Sequence, residues 1–454
     1  MYDTWLSLSR RNYLLLIVLL LSALYKIFFL KFPIFGLEYE DAFVYADVAR
    51  QLQYSYLWQV DSFQTKTCMD GSLVNCLEYG TFNGHFMVLP LIISVINGIL
   101  GYSTYNIFIF NFFISLVVLV FFFKILSLLK VDNLSIFFSA ILYVTTPFIN
   151  IQHTSGFSET LSSLFVIITL YYFLKSLEDG FDIHKRSYWI AISMIIVSFA
   201  IKRENLILIS LPVIYLFIAA FSKNVSRKQF LGISLSFFIP LFVGMVFNYV
   251  AQVSDLEKVE GQVVGGATFT LTNFSINFPN FLSSLQNFKL FGMTGGLVFL
   301  SLIIVFLPRF RMQFKLIGIL VISYSVLYSL HYRSYYQVHY NMVNNFETLR
   351  YTTNFFPILC LLFGAVFAEL TSYSRQTKKI VSLALMIYLP FITLGNFRLR
   401  YDIYDKELVN RIDPVRKTLD IVRPDDWVIS DISSVFHLYA NENLNVEPVE
   451  KGKK

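Results

Sequence analysis

The chain has 454 residues, of which 56% are apolar and only 15% charged, with 48 Phe and 28 Tyr. Soluble domains carry about 25% charged residues, so an ordinary cytosolic enzyme, a disordered chain and a nucleic-acid-binding domain are all excluded. The net charge of +6 matters less than its distribution, because basic loops set the orientation of a polytopic membrane protein.

Arg10-Arg11 precede a first apolar run at 12–30 that no small-residue cleavage pattern follows, which predicts an uncleaved first span. A long polar region, 31–105, comes next. Within it, 86–100 is apolar but short and broken by Pro90 and Gly98, which suits an interfacial or re-entrant element. Further apolar segments follow at 106–128, 134–149, 160–175, 188–201, 206–221, 229–250, 291–308, 315–330, 353–371 and 380–396. The fold class is therefore an all-α polytopic membrane protein, a bundle of about eleven transmembrane helices. With the N-terminus inside, every inner connection is basic: Lys124 and Lys130, Lys175 with Lys185-Arg186, Lys223 with Arg227-Lys228, Arg309 with Arg311 and Lys315, Arg375 with Lys378-Lys379. The outer segments 31–105, 251–290 and 331–352 are poor in Lys and Arg. This predicts a cytoplasmic N-terminus, an outer C-terminus and a plasma (inner) membrane location.

Two units are expected: a transmembrane unit over 1–396 and an outer-face tail over 397–454. In the tail, Pro424-Asp425-Asp426 is a turn signal before Trp427-Val428-Ile429-Ser430, a strand-like run, and predicts a small C-terminal α/β appendage. The outer loop 251–290 carries Gly261 and Gly265-Gly266 among few helix signals and is expected to be mobile, ordering over bound substrate. Cys360 lies in an apolar segment as a packed thiol. Cys68 and Cys76 share one hydrophilic loop, either as a disulfide or as two free thiols.

Chemistry concentrates on the outer side. Just past the first span, Glu38, Glu40 and Asp41 place three carboxylates within four residues. Mutual repulsion and poor solvation there push carboxylates toward general-base usefulness, although an acidic, solvated helix start carries the same residues. A second stretch, Gln152-His153-Thr154-Ser155-Gly156-Phe157-Ser158-Glu159-Thr160, puts Glu159 at the outer boundary, where it would otherwise be a plain start-of-helix acid. A third, Lys202-Arg203-Glu204-Asn205, is the outer turn between two spans; its ordinary reading is a helix-end ion pair. A fourth, Glu347-Thr348-Leu349-Arg350-Tyr351, precedes a late span, where Arg350 could merely anchor the interface. Charges this close to a bilayer are costly and mark function by default. A base together with cations that hold a phosphate is what transfer from a phosphate-activated donor requires. The six His residues have no H-x-x-x-H spacing, so a divalent metal has weak support and no metal ligands are assigned.

Together these stretches resemble the GT-C-fold membrane glycosyltransferases that use polyprenyl-phosphate sugars, among them protein O-mannosyltransferases, the lipid A aminoarabinose transferase and mycobacterial arabinosyl and mannosyl transferases. Glu40-Asp41-Ala42-Phe43-Val44 with Tyr45 and Ala49-Arg50 is similar to the acidic opening of the family's first outer loop, with Glu in place of the commoner first Asp. Gly156-Phe157-Ser158-Glu159-Thr160 resembles a glycine–acid–threonine signature with one extra residue. Arg203-Glu204 resembles an Arg-Pro-Glu motif without its proline, and Arg350-Tyr351 with Pro357 resembles the opening of a late span.

The resemblance implies a GT-C-like transmembrane domain that transfers a sugar from a polyprenyl-phosphate donor to a glycan, lipid or protein acceptor on the outer face, with inversion. It implies Asp41 and Glu40 as catalytic carboxylates, and Glu159, Tyr45 and His153 as groups that position acceptor or donor. Arg350, Arg203, Lys202 and Tyr351 would bind the donor phosphate. The expected partners are the lipid-linked donor, the acceptor and the bilayer. A transporter or flippase of a lipid-linked or anionic substrate is the alternative; it needs a polar site near the midplane, whereas these charges gather at one boundary.

Overall fold

The computed structural model describes residues 2–30, 88–103, 105–221, 227–256, 271–286, 288–330 and 350–372, with Ala49, scattered positions over 376–421 and the segments 427–430 and 445–448. In chain order its helices are α1 (Tyr2–Leu30), α2 (Val88–Leu100), α3 (Asn106–Leu128), α4 (Asn133–Thr145), α5 (Pro147–His153), α6 (Glu159–Glu178) and α7 (Arg186–Ile201). There follow a 3-10 helix at Arg203–Ile209, then α8 (Ser210–Phe221), α9 (Arg227–Leu256), α10 (Leu271–Leu285), α11 (Phe288–Ile304), α12 (Met312–Leu330), a 3-10 helix at Arg350–Asn354, and α13 (Phe356–Ser372). Among the described residues α3, α6 and α12 are long and apolar enough to cross a membrane, and α4 with α5 makes a fourth such unit bent by 68°. Shorter apolar helices fill in between them. The chain is a multi-pass membrane protein. On α1, Leu16, Leu20 and Leu24 are exposed at helical spacing, and on α9 Phe238, Phe242 and Met245 are too; such stripes suit lipid rather than water.

The bend follows from local chemistry. Pro147 cannot donate a backbone hydrogen bond and forces Thr146 before it into extended geometry (φ −68°, ψ 119°), so α4 must stop, while Pro at the first position is well suited to start α5. Carbonyls near the break are not left bare. Thr145 and Thr146 Oγ1 donate to the Ile141 and Leu142 carbonyls at 2.8 and 2.7 Å, and Asn150 Nδ2 donates to the Val144 carbonyl at 2.6 Å. Inside lipid this satisfaction decides whether irregular backbone is tolerated. The other end of α4 is capped by Asp132, whose carboxylate accepts from Leu134 N and Ser135 N.

Small residues let the interior close. A Cβ on Gly364 of α13 would lie 3.0 Å from the Ser139 side chain of α4, and Ser139 Oγ donates to the Cys360 carbonyl at 2.5 Å. This is the close backbone approach through which helices associate in lipid. Cys360 is a buried free thiol, as its apolar setting predicts. Helix α3 ends in a Schellman-type cap: Val131 N donates to the Leu126 carbonyl and Lys130 N to the Ser127 carbonyl, each at 3.0 Å. Lys130 therefore occupies the left-handed position (φ 58°), where glycine would cost about 1–2 kcal/mol less.

Part of the expected loop 251–290 is helical. Helix α9 runs to Leu256, and α10 occupies 271–285 despite Pro279. Buried Phe281 and Leu285 hold one face of α10 in the bundle, while Asn273 and Asn277 donate to the Leu330 and Ser329 carbonyls at the end of α12. The loop expectation weighed glycines against a segment whose apolar and amide spacing is helical; its three glycines, at 261, 265 and 266, lie outside the described residues. In the tail, β1 (Trp427–Ser430) pairs in parallel with β2 (Asn445–Pro448).

Candidate active site

Four elements converge where α6 begins. Helix α7 ends at Ile201, and Lys202 then turns extended (φ −148°, ψ 127°), which carries its side chain back toward the start of α6. Lys202 Nζ donates to Glu159 Oε1 at 2.8 Å, and the two side chains are only 9% and 2% exposed. The expected outer turn at 202–205 is thus an interior element: a 3-10 helix follows at once, and Lys202 is buried. The same ammonium sits 4.7 Å from the centre of the Tyr351 ring, an arrangement in which the ring's negative face favours a cation. Tyr351 belongs to the 3-10 helix that packs on α6, next to Arg350 at its first position.

Polar contacts fix this frame. Asn205 Nδ2 donates to Ser162 Oγ at 2.8 Å and to the Ser198 carbonyl at 3.0 Å, while its Oδ1 accepts from Tyr324 Oη at 2.9 Å, so one buried amide ties α6, α7 and α12 together. Tyr328, one turn on from Tyr324, stacks on Tyr351 with ring centres 5.2 Å apart and accepts from Asn354 Nδ2 at 2.6 Å. The connection into α6 is pinned from α3: Asn111 Nδ2 donates to the Ser155 and Phe157 carbonyls at 2.7 and 2.9 Å. All of 152–160 is buried, so this stretch is packed inside the protein rather than looped on its surface.

His153 closes α5. Its Nε2 lies 3.0 Å from Tyr143 Oη, and its Nδ1 has no hydrogen-bond partner among the described residues. Beside it, both side-chain polar atoms of buried Gln152 also lack partners among the described residues. Unpaired buried polar atoms are rare because each costs desolvation. Three of them on two neighbouring residues next to the Glu159 connection mark a place that can take polar groups from a ligand or water.

Of the predicted site residues, the structure brings Glu159, Lys202 and Tyr351 into direct contact. His153 is buried on the neighbouring α5. Arg203 and Arg350 each open a 3-10 helix directly beside that cluster in the chain. Glu40, Asp41 and Tyr45, like Cys68 and Cys76, lie outside the described residues. The aromatic and amide frame of Asn205, Tyr324, Tyr328 and Asn354 was not predicted. Its only sequence signal is the pair of tyrosines at i and i+4 inside an otherwise apolar span. Among the described residues no group of His, Cys, Asp or Glu could hold a metal ion.

No protein-family model and no curated protein matches the sequence. The structure, however, aligns with crystal structures of ArnT from Cupriavidus metallidurans. The form bound to undecaprenyl phosphate matches with a TM-score of 0.57 at 13% identity, over 100% of this chain and 87% of that one. The apo form matches with a TM-score of 0.56, also at 13% identity, over 99% and 86%. The chain has the GT-C fold. At this identity the fold is what the two proteins share, and in the GT-C frame the Glu159–Lys202–Tyr351 cluster sits at one end of the bundle, where α6 and α13 begin and α7 and α12 end.

Proposed function

We propose that this protein is a membrane glycosyltransferase that takes a sugar from a polyprenyl-phosphate donor and passes it, with inversion, to a hydroxyl of a glycan, lipid or protein on the outer face. The observation that carries the reading is the buried Glu159–Lys202 pair beneath Tyr351, set in a fold shared with a protein crystallised with undecaprenyl phosphate. An ion pair with almost no exposure inside a membrane bundle is a poor device for stability and a good one for fixing a polar reaction partner.

In the proposed reaction Asp41, assisted by Glu40, removes the proton from the acceptor hydroxyl as its oxygen bonds to the anomeric carbon. The bond from that carbon to the phosphate oxygen breaks, and the polyprenyl phosphate leaves as an anion. Arg350 and Arg203 are assigned to that phosphate, since guanidinium forks match its oxygens. The Lys202 charge is already balanced by Glu159, so Lys202, Glu159 and Tyr351 are read as the platform that positions donor phosphate and sugar. His153 and Tyr45 are assigned to acceptor or donor positioning. The topology with the N-terminus inside, the active site outside and the tail as an outer appendage belongs to the same reading and rests on the basic inner loops.

The test is to incubate purified protein with radiolabelled polyprenyl-phosphate sugars and follow donor cleavage and transfer. General-base help is worth about 10²–10⁴-fold, so Asp41→Asn should reduce turnover by at least about a hundredfold while the protein stays folded in membranes. Retention of more than a tenth of the activity places the base elsewhere. Uptake of labelled donor into vesicles without cleavage would favour a transporter.

A further inference from the structure

At the opposite end of the bundle, a cavity of about 350 Å³ opens between the α3–α4 turn, the α11–α12 turn and the last turn of α13. Lys130, Arg309 and Arg311 line it and are all exposed. Its inner wall is apolar, made by Phe310 and Phe314, which are 5% and 7% exposed. Helix α13 measures the separation: it starts at Phe356 beside the Tyr351 platform and ends at Ser372 on the cavity, so its 17 residues put the two sites about 25 Å apart. That is close to the thickness of a bilayer's hydrocarbon core, about 30 Å, and places the cavity at the headgroup level of the other leaflet.

The cations are held in place. Arg311 Nη1 donates to the Leu129 carbonyl at 3.3 Å, the Arg309 guanidinium lies 5.3 Å from the centre of the Phe310 ring, and the Lys130 backbone is locked in its left-handed cap. Arg11 closes on the same turn, donating to the Val131 carbonyl and to Asn133 Oδ1. Two carboxylates also line the cavity, Asp132 and Glu369. Asp132 is already engaged, accepting from Leu134 N, Ser135 N and Ser135 Oγ at the start of α4. Three cations against two carboxylates leave the lining with an excess of one positive charge.

We infer that this cavity binds a phosphate carried by an anionic membrane lipid, with Lys130, Arg309 and Arg311 on the phosphate and the Phe310–Phe314 wall against the first carbons of its chains. Orientation rules account for basic residues scattered over inner loops; they do not account for three of them from two separate connections lining one apolar-walled cavity. Guanidinium groups suit phosphate oxygens, and lysine supplies a point charge.

The full chain in neutral detergent is titrated with phosphatidylglycerol, phosphatidylcholine and inorganic phosphate, with bound lipid counted by native mass spectrometry and melting followed in parallel. Saturable binding of phosphatidylglycerol over phosphatidylcholine is expected, weakened about fivefold for each cation removed, so about 25-fold in Lys130→Gly/Arg311→Gln. Displacement of the lipid by inorganic phosphate would keep the site and make its ligand soluble. Lys130→Gly also relieves the left-handed lysine, so this variant should bind lipid less while melting no lower than the parent. Equal binding of the two lipids, undiminished binding in the double variant, or binding lost only together with a lowered melting temperature would overturn the inference.

Discussion

Lys202 Nζ donates to Glu159 Oε1 over 2.8 Å although the residues are 43 positions apart in the chain. Each is the other's answer to burial. Removing one partner leaves an uncompensated charge, which costs about 3–5 kcal/mol. Lys202→Met should therefore lower the melting temperature of detergent-solubilised protein sharply, whereas Glu159→Leu/Lys202→Met should recover most of that loss. If the pair positions substrate, the double variant stays inactive in sugar transfer despite its recovered fold. A double variant that is both stable and active would reduce the pair to a structural contact.

Arg350→Ala separates donor binding from folding. Arg350 precedes Tyr351 at the head of a short 3-10 helix, and loss of a charged hydrogen bond to phosphate costs about 1.5–3 kcal/mol. The apparent donor affinity should fall by about 10- to 100-fold, with little change in the amount of folded protein recovered from membranes. An unchanged donor concentration dependence would remove Arg350 from the phosphate site.

The helical outline was legible because apolar helices announce themselves by length and composition. Glu159, Lys202 and Tyr351 were legible as charged or aromatic residues at span ends. Their contact was not. It depends on Lys202 leaving α7 in extended geometry, and nothing in Lys202-Arg203-Glu204-Asn205 distinguishes an exposed turn from a buried 3-10 segment. Asn205 was hidden for the same reason: an amide after two charged residues reads as solvated, and its partners Ser162 and Tyr324 lie in other spans. Likewise α10 was missed because its Asn273 and Asn277 look like loop residues until the end of α12 is there to accept from them.

Asn205 carries a prediction of its own. Asn205→Leu removes two donated hydrogen bonds and one accepted bond at a fully buried position. The orphaned Ser162 and Tyr324 hydroxyls should cost about 1–3 kcal/mol each. Thermal unfolding should show the loss, and Asn205→Leu/Tyr324→Phe should be less unstable than the sum of its two single variants.

Lys26 tests how an ammonium with no carboxylate partner among the described residues is tolerated inside the bundle. It is 1% exposed and donates to Ser22 Oγ at 2.9 Å and Ser115 Oγ at 2.8 Å. Ser115→Ala should destabilise by about 1–3 kcal/mol, because the charge stays and a partner goes. Lys26→Met, which removes the charge and keeps the volume, should match or exceed the parent in stability. A large loss in Lys26→Met would mean that the charge is needed for the fold.

Gly295 marks a crossing that admits no side chain. A Cβ there would run into the Leu285 carbonyl at the end of α10, and backbone cannot yield as a flexible side chain can. Gly295→Ala should force α10 and α11 apart and cost more than the 1–3 kcal/mol typical of overpacking, whereas Gly296→Ala, which meets nothing within 4 Å, should be tolerated. Yield of folded protein by fluorescence-detected size exclusion decides between them.

The hydrogen bond from Ser139 to the Cys360 carbonyl spans 221 positions, and this has a consequence for synthesis. Helix α4 emerges from the ribosome long before α13, against whose Gly364 its Ser139 closes. At about 5–20 residues per second, the two are born about 10–40 seconds apart. For that interval the bent α4–α5 unit has α1 and α3 beside it but lacks α13, and its turn relies on its own threonines and Asn150. The bundle is thus sewn shut late, and a ribosome that stalls before residue 356 leaves a nascent chain fit for quality control rather than for catalysis.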